Sequence, residues 1–280
     1  MRYGCVIAPQ QIGAAIAAGF DYVELPARAL EPEGRHALAL RSISRALARS
    51  HRPVKVEVFS GLLPEDLSIV GPAVDRERLR RYLHRAFTAM WALGGVLVVL
   101  GVGPSRRVPD GFSRERATAQ FAEALAFIAE EADRNGLDLV LDPLNRAETN
   151  LLVRLDDCRR FLADHGLTEV RLLAGSYHLL AEDESPTAIE TCASLIAHTH
   201  IADSDRLPPG QGEFDFAPFF GALRGIGYDA RISHKCLWRD FEREAGPARA
   251  FVQRQWEASA TTDHRPLTAD HRPPKIEDKA

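Results

Sequence analysis

Cysteine is scarce in this chain and forms no pattern where it occurs. Cys5, Cys158, Cys192 and Cys236 are spread over 280 positions with no C-x-x-C pair and no zinc-like spacing. That excludes a disulfide scaffold and a cysteine-built zinc site, and suits reduced thiols in a cytoplasmic protein. Long apolar runs are missing too. No stretch approaches the roughly 18 residues of a membrane span, and Met1-Arg2 leads straight into a strand candidate without a hydrophobic leader. Neither charge sign dominates. Lys and Arg number 35 against 39 Asp and Glu, a formal net charge of -4, which supports neither nucleic acid nor a membrane surface as a partner. Glycine-rich phosphate loops are absent as well. Ala8-Pro9-Gln10-Gln11 after the first strand candidate offers none, which argues against an open dinucleotide-binding sheet. The Gly- and Arg-bearing segment Gly101-Val102-Gly103-Pro104-Ser105-Arg106-Arg107 lacks the P-loop pattern, so a phosphate on the ligand is unsupported.

What is present is alternation. Strand signals at 3–8, 22–25, 54–59, 96–100, 137–141, 170–173, 196–202 and 230–233 are separated by helical segments. In the segment 75–93, Leu79, Leu83, Ala86, Phe87 and Met90 recur at three- and four-residue spacing, which marks one helical face. Eight strand–helix alternations with near-continuous apolar strands predict a parallel sheet covered by helices, closed as a (β/α)8 TIM barrel. The roughly 250 residues used fit that architecture. The expected organisation is a single barrel over 1–257 and a disordered polar tail over 258–280, where Asp263-His264-Arg265-Pro266 is echoed by Asp270-His271-Arg272-Pro273.

The stretch Leu141-Asp142-Pro143-Leu144-Asn145-Arg146-Ala147-Glu148-Thr149-Asn150 is where an apolar strand turns abruptly polar. Turn and capping groups explain part of that composition. Other strand ends carry ionisable residues in the same way, and a barrel gathers its strand C-termini on one chemically active face. The residues collected there are Glu24, Glu57, Asp142, Glu148, His178, His200, Asp203, Arg206, His234 and Lys235. His198 and His200 flank Thr199, so alternation sends both to one face unless a bulge intervenes. Charges converging on a barrel mouth are costly unless they pair, bind a ligand or bind a metal.

These residues carry a resemblance. Gly19-Phe20-Asp21-Tyr22-Val23-Glu24-Leu25, Asp142-Pro143-Leu144-Asn145-Arg146 with Glu148-Thr149-Asn150, Ser176-Tyr177-His178, and His200-Ile201-Ala202-Asp203-Ser204-Asp205-Arg206 are similar to the landmarks of the xylose-isomerase-like superfamily. That sugar phosphate isomerase/epimerase group includes ketose 3-epimerases. The resemblance implies one divalent ion held by a Glu, an Asp, a His and a second Glu, the two Glu also acting as acid and base. Here those positions hold Asp142, Gly175, His200 and Lys235. A hard or borderline dication wants several anionic or imidazole ligands. An ammonium about 4 Å from it costs on the order of 8 kcal/mol at an effective dielectric of 20. The expectation is therefore no catalytic metal and no other cofactor.

The positions that grip the sugar in the resemblance survive as Glu148, His178 and Arg206. The resulting expectation is an isomerase- or epimerase-like enzyme acting on a small polyhydroxy carbonyl compound by proton transfer beside the carbonyl. Asp142, Lys235 and His178 are the expected catalytic residues, and Glu148, Arg206, His200 and Glu57 the substrate-binding ones. Lys235 stands in for the metal's charge, or forms a Schiff base. The alternatives are a non-catalytic ligand-binding or partner subunit, and an enzyme that retains a metal. Self-association into a homo-oligomer is compatible with the sequence.

Overall fold

The structure, a computed structural model, describes residues 1–49 and 53–260. Its eight strands are β1 (Arg2–Val6), β2 (Tyr22–Pro26), β3 (Val56–Ser60), β4 (Leu97–Leu100), β5 (Asp138–Leu141), β6 (Arg171–Gly175), β7 (Ile196–Ile201) and β8 (Arg231–His234). All neighbours are parallel and β8 pairs with β1, closing the barrel in chain order. The sequence expectation of a (β/α)8 barrel holds. Between the strands run α1 (Ile12–Ala17), α2 (His36–Ala48), α3 (Arg76–Ala92), α4 (Gly103–Arg106), α5 (Arg114–Arg134), α6 (Leu155–Asp164), α7 (Ser176–Ala181), α8 (Thr187–Thr191) and α9 (Phe216–Gly225); α10 (Phe241–Ala258) follows β8. None of the described helices is long and apolar enough to cross a membrane. Most of the expected tail lies outside the described residues.

The three longest described helices start where the sequence supplies an acceptor. Asp75, Ser113 and Asp240 accept hydrogen bonds from the backbone N–H groups of Arg78, Arg116 and Arg243, opening α3, α5 and α10. Each such cap contributes about 1 kcal/mol. The strands are buried on both faces. Outward residues such as Phe59, Leu100, Leu172 and Ile232 join Phe20, Phe87, Phe121, Phe219 and Phe220 in the shell between sheet and helices. Inward, Tyr22, Val58, Leu97, Val99, Val140, Leu173 and Ala197 form a separate apolar layer in the barrel's interior.

Polar layers lie on either side of that plug. Below it, Arg2 and Arg231, at the first residues of β1 and β8, converge on Glu57, the second residue of β3. Above it are Glu24 and the two histidines of β7. Register shifts occur opposite Val23/Glu24 in the β2–β3 pairing and at Leu172/Leu173 in the β6–β7 pairing. Such irregularities re-aim side chains. They let Val58 and Ala197 face the interior beside Glu57 and His198, which strict alternation forbids.

Candidate active site

Asp142 and Lys235 each follow directly on the last residue of a strand, and their backbone N–H groups continue the ladder to Leu100 and Ile201. This fixes both side chains over the barrel. Lys235 Nζ lies 3.4 Å from Asp142 Oδ2, with the carboxylate fully buried and the lysine side chain about a quarter exposed. Burial alone opposes ionisation of Asp142, but the charges of Lys235, His178, His200 and Arg106 outweigh it and hold the carboxyl below its ordinary value. Gly101 makes the position possible, because a Cβ there would sit 2.8 Å from Asp142 Oδ2. Behind the strand, Arg106 is completely buried and donates from Nη2 to the Asp142 carbonyl at 2.8 Å.

The loop after Asp142 is organised by Asn145. Its Oδ1 accepts from the N–H groups of Ala147 and Glu148, and its own N–H donates to His178 Nδ1 at 3.2 Å. Because Nδ1 accepts, the neutral ring carries its proton on Nε2 and is a donor there. Burial depresses protonation of His178, so the ring is neutral at ordinary pH. Asn145 Nδ2 also bonds Glu148, whose carboxylate pairs with Arg206. Arg206 lies over the ring of Tyr177, 4.1 Å from its centroid, a cation–π contact that orients the guanidinium. Asp205 and Arg206 both have left-handed φ, 53° and 57°, a conformation non-glycine residues hold only when their surroundings enforce it. The rest of the loop is pinned by Glu182, which accepts from both the backbone and the guanidinium of Arg146.

Within the barrel, Glu24 Oε1 accepts from His200 Nε2 at 2.9 Å, and Oε2 accepts from His198 Nε2 at 3.0 Å. Both histidines face inward, as alternation around Thr199 predicts. Burial penalises the Glu24 charge, but the two imidazoles outweigh it and keep the carboxyl well below the usual range. Burial drives His200 down to about 4. With Glu24 an acceptor only, each ring places its proton on Nε2. His200 Nδ1 is then a bare lone pair, 3.9 Å from Asp142 Oδ2.

The sequence expectation therefore brings Asp142, Lys235, His178, Glu148, Arg206 and His200 to one end of the barrel. It misplaces Glu57. That carboxylate lies below the apolar plug at the N-terminal end of β3, held by Arg231 at 2.7 Å and by Arg2, so it does not reach the mouth. His234 and Asp203 leave the set as well. His234 points outward against Phe20 and bonds the Gly4 carbonyl. Asp203 ties its own loop through the N–H groups of Ser204, Gly210 and Phe214. Sequence reasoning gave no role to Tyr177 or Arg106, and none to Glu24 as the partner of two histidines. The even spacing of His198 and His200 opposite a strand-borne Glu is the signal that points to the last.

The positions that hold a dication in the resembled superfamily do not form such a site here. Gly175 offers no side chain, Lys235 places an ammonium against the one carboxylate, and only Asp142 and His200 remain. Glu24, His198 and His200 do present ligand atoms within 4.8 Å of one another. Each histidine nitrogen, however, is directed at its own oxygen of Glu24 with ordinary hydrogen-bond length. A cation held through the two Nε2 atoms and Glu24 would have to replace both bonds, whereas the Nδ1 atoms of both histidines are without a hydrogen-bond partner.

Relatives with assigned activities share this sequence at modest identity. A 3-dehydro-D-guloside 4-epimerase of Escherichia coli (strain K12) is 26% identical over 193 residues, 65% of this chain and 71% of its own. An L-ribulose 3-epimerase of Methylomonas sp. (strain DH-1) is 26% identical over 274 residues, covering 89% and 92%. Among solved structures, a D-psicose 3-epimerase with D-tagatose from Clostridium cellulolyticum H10 superposes with a TM-score of 0.78 at 18% identity. The alignment covers 91% of this chain and 99% of the other. An L-ribulose 3-epimerase structure gives 0.73 at 25% identity, covering 95% and 99%. The pattern described as "Xylose isomerase-like TIM barrel" matches residues 12–255, so the chain whose closed barrel and strand-end polar residues are laid out above belongs to that family.

Proposed function

We propose that the barrel mouth binds a small polyhydroxy carbonyl compound and moves a proton on the carbon beside the carbonyl, as a sugar epimerase or isomerase does. Lys235 supplies the positive charge for which the resembled enzymes use a metal ion. The observation that carries this is Lys235 Nζ at 3.4 Å from the buried Asp142 carboxylate, beside a Gly175 that offers no ligand. Support also comes from the relatives named above, which are epimerases of sugars or keto-sugar glycosides.

The chemistry follows from the groups present. Asp142 takes the hydrogen as a proton; the C–H electron pair becomes the C=C bond of an enolate, and negative charge moves to the former carbonyl oxygen. Lys235, Arg206 and the Nε2–H of His178 are the donors that stabilise that oxygen. Returning the proton to the same face regenerates substrate. Delivery of a proton from the Lys235 ammonium to the opposite face inverts the centre, and the neutral amine then recovers a proton from Asp142 across the 3.4 Å pair.

The same ion pair also favours a second reading, because Lys235 covers the buried Asp142 carboxylate. In that reading the barrel binds a polar ligand, or serves as a partner subunit, without turnover. Incubation in deuterated water with L-ribulose, D-fructose and D-tagatose separates the two. Deuterium entering carbon next to the carbonyl, at undiminished rate in protein stripped by chelators, is expected of the metal-free enzyme. Ligand binding without exchange leaves the second reading, and exchange that stops on chelation overturns metal independence.

A further inference from the structure

At the mouth, two neighbouring buried acceptors, Asp142 Oδ1 and His200 Nδ1, are reached by no donor of the described residues, and His198 Nδ1, two residues further into the barrel, has none either. Asp142 is fully buried and His200 is 4% exposed. A buried acceptor without a donor is unfavourable. His200 cannot relieve the mismatch by turning a proton toward Asp142, because Glu24 holds that proton on Nε2 at 2.9 Å. His198 occupies the second oxygen of Glu24, and the two rings sit edge to face with centroids 5.0 Å apart. Rotation of the carboxylate would break both bonds at once. His200 is thus fixed as an acceptor, whereas His178 is fixed by Asn145 as a donor.

We propose that His200 Nδ1 is the acceptor for the hydroxyl carried by the reacting carbon of the ligand, and that Glu24, backed by His198, is the positioning residue that keeps His200 in the accepting tautomer. The inference rests on the hydroxy-carbonyl reading given above. Its geometric basis is the 3.9 Å between His200 Nδ1 and Asp142 Oδ2. At that separation one acceptor can take the hydrogen of a carbon while the other holds the hydroxyl on the same carbon. A carbonyl oxygen has no hydrogen to offer Nδ1, so the carbonyl belongs with the donors Lys235, Arg206 and His178. The mouth then discriminates between a hydroxylated and a deoxygenated reacting carbon, because the deoxy compound leaves the Nδ1 lone pair without a donor.

Nitrogen-15 NMR of histidine-labelled full-length protein tests this without relying on turnover. At neutral pH, His200 should show a protonated Nε2 and a bare Nδ1. D-Fructose should move the Nδ1 resonance in the direction of an accepted hydrogen bond, and 3-deoxy-D-fructose should not. Glu24→Gln replaces one acceptor oxygen by a donor NH2 and should switch the tautomer of one of the two β7 histidines. His198→Asn, which leaves Glu24 free to turn, should weaken the D-fructose response of His200 about tenfold or more in apparent affinity. A His200 ring protonated on Nδ1, or a metal signature on either β7 histidine in wild-type protein, overturns the proposal. So does a D-fructose response confined to His178, which leaves the sugar reading standing. If D-fructose, D-tagatose and L-ribulose move neither His178 nor His200, the sugar reading itself falls, and the role of His200 falls with it.

Discussion

Lys235 reaches across the mouth from the end of β8 and stops 3.4 Å from Oδ2 of Asp142, which follows the last residue of β5. An ammonium there either stabilises a developing oxyanion or merely neutralises a buried carboxylate, and Lys235→Met distinguishes these. The substitution keeps much of the bulk and removes the charge. Carbon–hydrogen exchange should fall on the order of 10²-fold or more, the scale of losing one oxyanion donor. An unchanged exchange rate would remove Lys235 from the mechanism. Borohydride trapping with the same ketoses adds a mass to Lys235 if it forms a Schiff base.

Metal content follows from the same pair. Protein purified without chelators should carry far less than one equivalent of Mn, Mg, Co, Fe or Zn by elemental analysis, and near-stoichiometric metal would contradict the reading. The triple variant Asp142→Glu, Gly175→Asp, Lys235→Glu should gain a metal-dependent rise in Tm that the parent lacks. The backbone permits the central change. Gly175 has φ -111°, and a Cβ there would meet His178 Cδ2 at 3.3 Å, a contact that asks the ring to shift slightly.

Glu57 should matter for stability and not for chemistry. Glu57→Gln leaves Arg231, which is 5% exposed, facing a neutral amide. Breaking a buried pair from one side costs roughly 3–5 kcal/mol. The urea midpoint should drop accordingly, while the exchange rate per folded molecule stays at the wild-type value. A rate loss with unaltered stability would return Glu57 to the substrate-binding set.

Acid should destabilise the barrel early. Burial lowers His200 and His234 from 6.5 to about 4. The unfolded chain therefore binds protons near pH 6.5 that the folded chain refuses until about pH 4. Stability falls as the pH drops through that window. Glu24, depressed by its two histidines, contributes stability that is intact above about pH 4.5, the unfolded glutamate range, and is lost only below it. Urea unfolding at a series of pH values from about 7 to about 4.5 should show a midpoint that declines throughout. A flat profile would mean these imidazoles are not neutral in the folded barrel.

Much of this fold is legible in the sequence because strands such as β4 and β5 are buried on both faces and read as apolar runs. The expected helix over 75–93 is found as Arg76–Ala92, marked by its period and by the Asp75 cap. The short helices Gly103–Arg106 and Ser176–Ala181 are too brief for any periodicity, and α7 is hidden behind the polar motif that contains His178. The mouth is legible where a polar residue follows the end of an apolar run, as Asp142 does after Leu139-Val140-Leu141. Glu57 misleads because a lone carboxylate among Val and Phe does not reveal which end of the barrel it serves. That is decided by Arg2 and Arg231, far away in sequence, and by a register shift that local alternation cannot show. The pairing of Tyr177 with Arg206 needs two successive left-handed residues, which neither Asp205 nor Arg206 announces.

The Glu57 cluster also has a kinetic consequence. Its arginines come from β1 and β8, the two strands that meet only when the barrel closes, and Glu57 is separated from Arg231 by 174 positions. Contacts between such distant segments carry the largest loop-closure entropy and are made late. The cluster acts as a latch on the finished cylinder: loosening it with Glu57→Gln should accelerate unfolding nearly by the full loss in stability and leave the refolding rate almost untouched.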